Sequence, residues 1–198
     1  MDDPDLAAAK AELREELLAA RHAMSQQERS AARAAVRAAV LDSVAAPCVA
    51  AYEPLRTEPG SVELLAELVG RGVRVLVPIT RPDRDLEWAD WTPAGRGPSL
   101  GVSAVGAAGL VLVPALAVAR TDGTRLGRGG GSYDRALGRV APDAPVVALL
   151  FDGELRAQLP RGPLDVPVTG AVTPSGWTSL PEAPPGDPAG NVDFPSGR

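Results

Sequence analysis

Three stretches decide the fold: Cys48-Val49-Ala50-Ala51-Tyr52, then Ser61-Val62-Glu63-Leu64-Leu65-Ala66-Glu67-Leu68-Val69, then Val73-Arg74-Val75-Leu76-Val77-Pro78-Ile79. The first is a short apolar run. The third is nearly all apolar and β-branched, the pattern of a strand covered on both faces. Between them Ser61 can accept a hydrogen bond at a helix start, and Gly70 and Gly72 stop the helix. Strand, helix, strand in this order predicts a right-handed parallel crossover. Glu53-Pro54-Leu55-Arg56-Thr57-Glu58-Pro59-Gly60 becomes the loop after the first strand, where α/β proteins keep ligand-binding groups.

Downstream, Leu86 to Trp91 alternates and reads as a strand with one wet face. Residues 92–109 read as loop, and Leu110 to Val113 as a buried strand closed by Pro114. Leu116 to Arg120 and Arg125-Leu126 flank the turn signal Thr121-Asp122-Gly123. Val146 to Phe151 is a further core strand, 152–170 a loop with a helical turn near 154–158, and Ala171 to Thr173 a last strand. Upstream, Leu6, Leu13 and Leu17 with Ala9 and Ala20 give a helical stripe over 5–22, with Asp5 as cap. Ser25-Gln26-Gln27-Glu28 is a capping-box signature for a second helix to about Ser43. Its row of Arg29, Arg33 and Arg37 reads as a solvated face, with a nucleic-acid stripe as the lesser alternative. Asp83, Asp85 and Glu87 read as a solvated turn, and Asp152 and Glu154 as surface charges. Trp88 and Trp91 suit either a pocket edge or the core. Residues 1–173 form one expected domain; from 174 to 198 the chain is Pro, Gly, Ser and acid, and reads as a disordered tail.

The net charge of −5 argues against a general nucleic-acid binder. The single cysteine, Cys48, excludes an internal disulfide, suits a reducing cytoplasm, and lies in an apolar run that marks it as a buried thiol. No signal-peptide pattern and no membrane-length apolar run stand out, so a cytoplasmic protein with no membrane partner is expected. A single histidine, His22, makes a His-based zinc site or a Ser-His-Asp triad a poor explanation. The only lysine, Lys10, stands four residues before Arg14 on one helix face. Two cations so placed repel unless an anion sits between them.

The candidate site is Arg125-Leu126-Gly127-Arg128-Gly129-Gly130-Gly131-Ser132-Tyr133-Asp134-Arg135. Glycines let a ligand approach the backbone closely, and successive N–H groups can curl around phosphate oxygens. A short helix expected over Ser132 to Val140 would put its N-terminus at that concavity. Arg125 and Arg128 add guanidinium forks, and Asp134 could hold a metal ion against the phosphates. A flexible glycine-rich loop is the plain alternative. The stretch lacks the lysine of a Walker A loop and the setting of a dinucleotide fingerprint.

Taken together, these motifs resemble the 5-formyltetrahydrofolate cyclo-ligase (5,10-methenyltetrahydrofolate synthetase) family. The resemblance runs from Lys10-Ala11-Glu12-Leu13-Arg14, through the Tyr52 to Glu58 loop and Val113 to Val118, into the glycine stretch. It closes on Leu164-Asp165-Val166-Pro167-Val168 and Ala171-Val172-Thr173-Pro174. It implies a three-layer α/β/α fold with a central, largely parallel sheet and two N-terminal helices. It also implies an ATP- and magnesium-dependent closure of 5-formyltetrahydrofolate to 5,10-methenyltetrahydrofolate, with ADP and phosphate released, by a monomer whose partners are small molecules. By resemblance, Lys10, Arg14, Arg125, Leu126, Gly127, Arg128, Gly129, Gly130, Gly131, Ser132 and Tyr133 would bind ATP. Glu58 and Tyr133 would bind the folate, Asp134 and Asp165 magnesium, and Arg128 and Asp134 would be catalytic. The chain departs from the family pattern at Ser132, where an aromatic is usual, at Leu164, where a histidine is frequent, and in Gly101 to Val105, which lacks a Glu-Pro pair. A binding homologue with weakened or lost catalysis is therefore the alternative.

Overall fold

The computed structural model describes residues 4–181. Two helices come first, α1 (Pro4–Ala23) and α2 (Gln26–Ser43). The capping box forms: Glu28 N donates to Ser25 Oγ at 3.2 Å, and Ser25 N donates to the Glu28 carboxylate at 2.8 Å. Then follow β1 (Cys48–Ala50), α3 (Val62–Gly70), β2 (Arg74–Thr80), β3 (Leu86–Thr92) and β4 (Gly95–Ser99). A 3₁₀ turn (Val102–Ala107) leads to β5 (Leu110–Pro114), β6 (Ala117–Ala119), β7 (Arg125–Leu126) and the short α4 (Ser132–Leu137). The last strands are β8 (Val146–Leu149), β9 (Leu155–Arg156), β10 (Gly170–Thr173) and β11 (Gly176–Ser179).

Eight strands form one sheet in the order β11-β10-β8-β5-β1-β2-β3-β4. The five central strands, from β10 to β2, pair in parallel, and antiparallel strands close both edges. The direction of winding matters for function. From β1 the chain moves to β2 on one side, then returns to lay β5, β8 and β10 in succession on the other. The reversal falls between β1 and β5, and such a reversal opens a crevice beyond the carboxyl ends of the strands.

Side chains of the central strands alternate between two cores, as the two-residue period of a strand requires. Val49, Val75, Val77, Leu110, Leu112, Val147 and Leu149 pack under α2 and α3, against Val36, Val40, Leu64, Leu65 and Leu68. Cys48, Ala50, Leu76, Val111, Val113 and Ala148 pack on the opposite face, against Val105, Ala108, Ala136 and Leu137. These are the three expected layers. The two N-terminal helices part company, however. Only α2 joins the large sheet; Leu17 of α1 packs on Ala117 and Leu126 of a separate small sheet, β7-β6-β9, and on Leu116 just before it.

Several local expectations need correction. The 92–109 segment is not all loop: Gly95–Ser99 pairs with β3, and residues 102–107 form a 3₁₀ turn. The helical turn expected at 154–158 is the strand β9, which pairs in parallel with β6 and is held from tertiary context that local sequence does not display. The tail does not begin at 174, because Trp177 and Thr178 pair with β10; the rest of it, 182–198, lies outside the described residues. Glu154 is not a surface charge. It is 5% exposed and ion-paired with Arg21, itself 1% exposed. Trp88 and Trp91 belong to the core, and Cys48 is buried as expected. The helix expected to reach Val140 ends at Leu137.

Candidate active site

A cleft of about 1100 Å³ opens at the carboxyl ends of the central strands. Its floor is made by Tyr52 after β1, Ile79 and Thr80 at the end of β2, and Pro114, Ala115 and Leu116 at the end of β5. The winding reversal between β1 and β5 therefore places it. Single small-molecule pockets usually occupy ~300–1,000 Å³, so there is room for two ligands side by side.

The glycine stretch forms one wall. Gly129 and Gly131 adopt φ of +96° and +67°, which residues with a Cβ rarely hold. Gly127 is glycine for a different reason: a Cβ there would lie 2.7 Å from Arg125 Nη1. The Arg125 side chain is 4% exposed and fixed at both ends. Its Nη2 donates to Asp134 Oδ1 at 2.9 Å, and its Nη1 to the Pro114 carbonyl at 3.3 Å. The guanidinium carbon also stands 5.7 Å from the centre of the Tyr133 ring, within cation–π range. At six residues, α4 offers little macrodipole, so the positive character of this wall comes from its arginines.

Across the cleft, α1 turns both of its expected cations inward. Lys10 Nζ meets Asp165 Oδ2 at 2.5 Å, and the same oxygen accepts from Gly162 N at 2.7 Å. Arg14 Nε donates to the Gly127 carbonyl at 2.9 Å. The two like charges are thus separated by having different partners. The helix is held in place by the buried Arg21–Glu154 pair. Arg21 donates to both Glu154 oxygens at 2.6 and 2.8 Å and to the Ala115 carbonyl at 2.6 Å. Glu154 also accepts from Phe151 N at 2.7 Å.

The third wall is the loop after β1. Glu58 is buried: one carboxylate oxygen accepts from Leu55 N at 2.8 Å, and the other lies 3.3 Å from Arg128 Nε. At the loop's start, Glu53 accepts from Trp91 Nε1 at 3.1 Å and pairs with Arg96. Beneath, the Tyr52 hydroxyl is buried with no hydrogen-bond partner in the protein. Burial pushes its pKa well up, and the neighbouring Glu58 charge adds to that. Burial also pushes up the Tyr133 phenol, against the opposing pull of Arg125.

All the sequence-predicted site residues line this one cleft: Lys10, Arg14, Glu58, Arg125 to Asp134 and Asp165. Leu126 does so with its backbone, its side chain being 2% exposed under α1. Leu164 is 80% exposed at the rim. Three of the expected cations each face an expected carboxylate: Lys10 with Asp165, Arg125 with Asp134, and Arg128 with Glu58. Sequence reading missed Arg21, Glu154 and Arg33. The periodic spacing of the α2 arginines was visible, but the partners of Arg33 lie in the loop after β1, distant in the chain.

Among the described residues no three His, Cys, Asp or Glu side chains cluster as a protein-only metal site. Asp134 and Asp165 do face the same cleft, and Asp134 Oδ1 accepts from Val166 N, next to Asp165, at 3.4 Å. Two carboxylates completed by phosphate oxygens are a donor set that suits magnesium, so the residues present fit that ion.

Known proteins supply an independent comparison. The chain is 38% identical to a 5-formyltetrahydrofolate cyclo-ligase of Mycolicibacterium smegmatis, over 83% of this chain and 93% of that protein. Its fold matches a 5,10-methenyltetrahydrofolate synthetase from Mycoplasma pneumoniae with a TM-score of 0.71 at 21% identity, over 83% of this chain and 98% of the other. It matches the Aquifex aeolicus 5,10-methenyltetrahydrofolate synthetase with a TM-score of 0.73 at 23% identity, over 93% and 99%. The sequence pattern of one family covers residues 6–174, nearly the whole described structure, and by it the chain belongs to the 5-formyltetrahydrofolate cyclo-ligase family.

Proposed function

We propose that the cleft binds ATP and 5-formyltetrahydrofolate together and joins two of the folate's own atoms in a ring at the expense of ATP. The observation that carries this reading is the set of three cation–carboxylate pairs around a cleft with room for two ligands. Phosphates arriving there would take over Lys10, Arg125 and Arg128, and so release the carboxylates Asp165, Asp134 and Glu58 for other partners.

An amide oxygen is a poor leaving group, and phosphorylation makes it a good one. In the proposed sequence the formyl oxygen attacks the γ-phosphorus, the bond to the β,γ-bridging oxygen breaks, and ADP leaves. The neighbouring ring-closing nitrogen then attacks the formyl carbon. Its proton is lost to solvent, and inorganic phosphate departs with the former formyl oxygen. Such chemistry needs alignment and charge neutralisation more than a strong base. That suits a cleft rich in arginine in a chain with one histidine, which lies on the exposed side of α1.

The residues divide accordingly. Lys10, Arg14, Arg125 and Arg128, with the backbone from Leu126 to Tyr133, hold the ATP phosphates. Arg128 and Asp134 stand nearest the transferring group in this reading. Asp134 and Asp165 would hold magnesium, which when bound neutralises phosphate charge. Glu58 accepts hydrogen bonds from donors on the folate, and Tyr133 covers it. A second reading, a homologue that binds both ligands without turnover, draws on Ser132 and on the exposed Leu164 at the rim. No helix among the described residues is long and apolar enough to cross a membrane. We read the chain through β11, which ends at Ser179, as one catalytic domain acting as a monomer on small molecules.

The test is absorbance of the methenyl product from purified protein given 5-formyltetrahydrofolate, ATP and magnesium, with each component omitted in turn. A signal requiring all three supports the enzyme. A folded protein that binds ATP and gives no signal favours the binding homologue.

A further inference from the structure

The arginine row of α2 was expected to face solvent. Arg33 does something more specific. Its Nε donates to the Glu58 carbonyl at 2.9 Å, and its Nη2 donates to the carbonyls of Leu55 and Arg56, each at 3.0 Å. One guanidinium thus grips three carbonyls of a four-residue turn. The turn is closed on itself as well: Glu58 N donates to Leu55 O at 3.0 Å, and Leu55 N donates to the Glu58 carboxylate at 2.8 Å.

The carbonyls of Leu55 and Arg56 belong to exposed residues, and water could satisfy them. Only the Glu58 carbonyl belongs to a buried residue and needs a partner, so desolvation accounts for one of the three bonds and not for the other two. What the guanidinium adds is fixed geometry. Its planar fork holds several acceptors in one orientation, which a lysine cannot do. The other end of the fork is rigid, because α2 is seated on the sheet by Val36, Val40 and Leu41. The turn carries one side chain that points into the cleft and is buried there, the carboxylate of Glu58.

We infer that Arg33 is a positioning residue for the folate side of the site: from outside the cleft it holds the Leu55–Glu58 turn in the register that aims the Glu58 carboxylate at the bound folate. This rests on the reading of Glu58 given under Proposed function. Arg33 touches neither ligand in this account. Among the described residues, the turn is tied to the phosphate wall by hydrogen bond or ion pair only at the exposed Arg128, 3.3 Å from Glu58. Its loss should therefore act on one substrate and leave the other alone.

The experiment measures KM for 5-formyltetrahydrofolate, KM for ATP, kcat and melting temperature for the full chain and for Arg33→Ala, Arg33→Lys and Glu58→Gln. Loss of charge-assisted bonds that orient a binding group predicts that Arg33→Ala raises KM for the folate about tenfold to hundredfold. KM for ATP should stay within about twofold, because the one contact between the turn and the phosphate wall, Glu58–Arg128, is given up when phosphates take over Arg128. Arg33→Lys keeps the charge without the fork and should fall between; it decides the matter alone if Arg33→Ala proves insoluble. A folate KM unchanged in the Arg33 variants while Glu58→Gln raises it overturns the positioning role and leaves Glu58 standing. A rise in the Arg33 variants without one in Glu58→Gln removes Glu58 as the folate ligand, and with it the inference that Arg33 acts by aiming that carboxylate. If neither raises it, both fall. Both KM values rising together, or a lower melting temperature with both unchanged, marks Arg33 as merely structural and overturns the inference.

Discussion

Replacing Glu154 by alanine tests how α1 is tied to the rest of the chain. Glu154 and Arg21 are almost wholly buried, and the carboxylate takes three donors: two from Arg21, at 2.6 and 2.8 Å, and Phe151 N, at 2.7 Å. Among the described residues, truncation leaves the guanidinium the Ala115 carbonyl and, 5.5 Å away, the Phe151 ring. Breaking one side of a buried ion pair typically costs about 3–5 kcal/mol. At about 2–4 °C per kcal/mol for a chain of this size, the melting temperature should fall by roughly 6–20 °C. The loss is a large share of a typical stability of about 5–15 kcal/mol. Thermal and urea unfolding followed by circular dichroism measure it. The double variant Arg21→Met with Glu154→Leu should recover most of the loss, because an apolar pair carries no desolvation penalty. A fall of less than about 2 °C for Glu154→Ala, against that scale, would refute the reasoning. So would a double variant no more stable than the single.

The remaining predictions concern the cleft. Gly127→Ala sets a Cβ 2.7 Å from Arg125 Nη1, so the guanidinium must shift from the place its bonds to Asp134 and Pro114 give it; an Arg125 displaced from its phosphate contact should raise KM for ATP about tenfold or more, read by steady-state kinetics. Asp134→Asn removes the charge opposite Arg125 and should reduce kcat far more than melting temperature; wild-type turnover would remove Asp134 from the catalytic set. Both tyrosines of the chain, Tyr52 and Tyr133, have phenols pushed up by burial. Native protein should therefore show no tyrosinate absorbance as pH passes about 10, the ordinary phenol value. The sign for stability follows: the neutral phenols contribute fully below about pH 10, and that contribution is lost as pH rises toward their folded values, so tyrosinate should appear together with alkaline unfolding. Tyrosinate appearing near pH 10 in a folded chain would contradict the upward shift of the two phenols.

Much of the sheet was legible because its strands are covered on both faces, and continuous apolar runs such as Val73 to Ile79 and Val146 to Leu149 signal that directly. The caps at Ser25 and Ser61 were legible because capping is local chemistry. Short edge elements were not. Gly95-Arg96-Gly97-Pro98-Ser99 has no strand pattern, and pairs because β3 offers it an edge. Likewise Glu154 sits in a polar surface-like sequence, and only the packing of α1 buries it. The candidate site was legible as a set of residues, since glycines, arginines and Asp134 fall in one stretch. Its internal pairing was not, because Lys10 meets Asp165 across 155 positions and Arg128 meets Glu58 across 70. The role of Arg33 was hidden for the same reason.

The most direct test of the proposed chemistry follows one atom. Substrate labelled with ¹⁸O in the formyl group is converted with ATP and magnesium, and the phosphate released is weighed by mass spectrometry. Attack of the formyl oxygen on the γ-phosphorus predicts one ¹⁸O in each inorganic phosphate and none in ADP. Unlabelled phosphate, with the label released to water, would show that ATP is hydrolysed beside the ring closure without activating it, and would contradict the account.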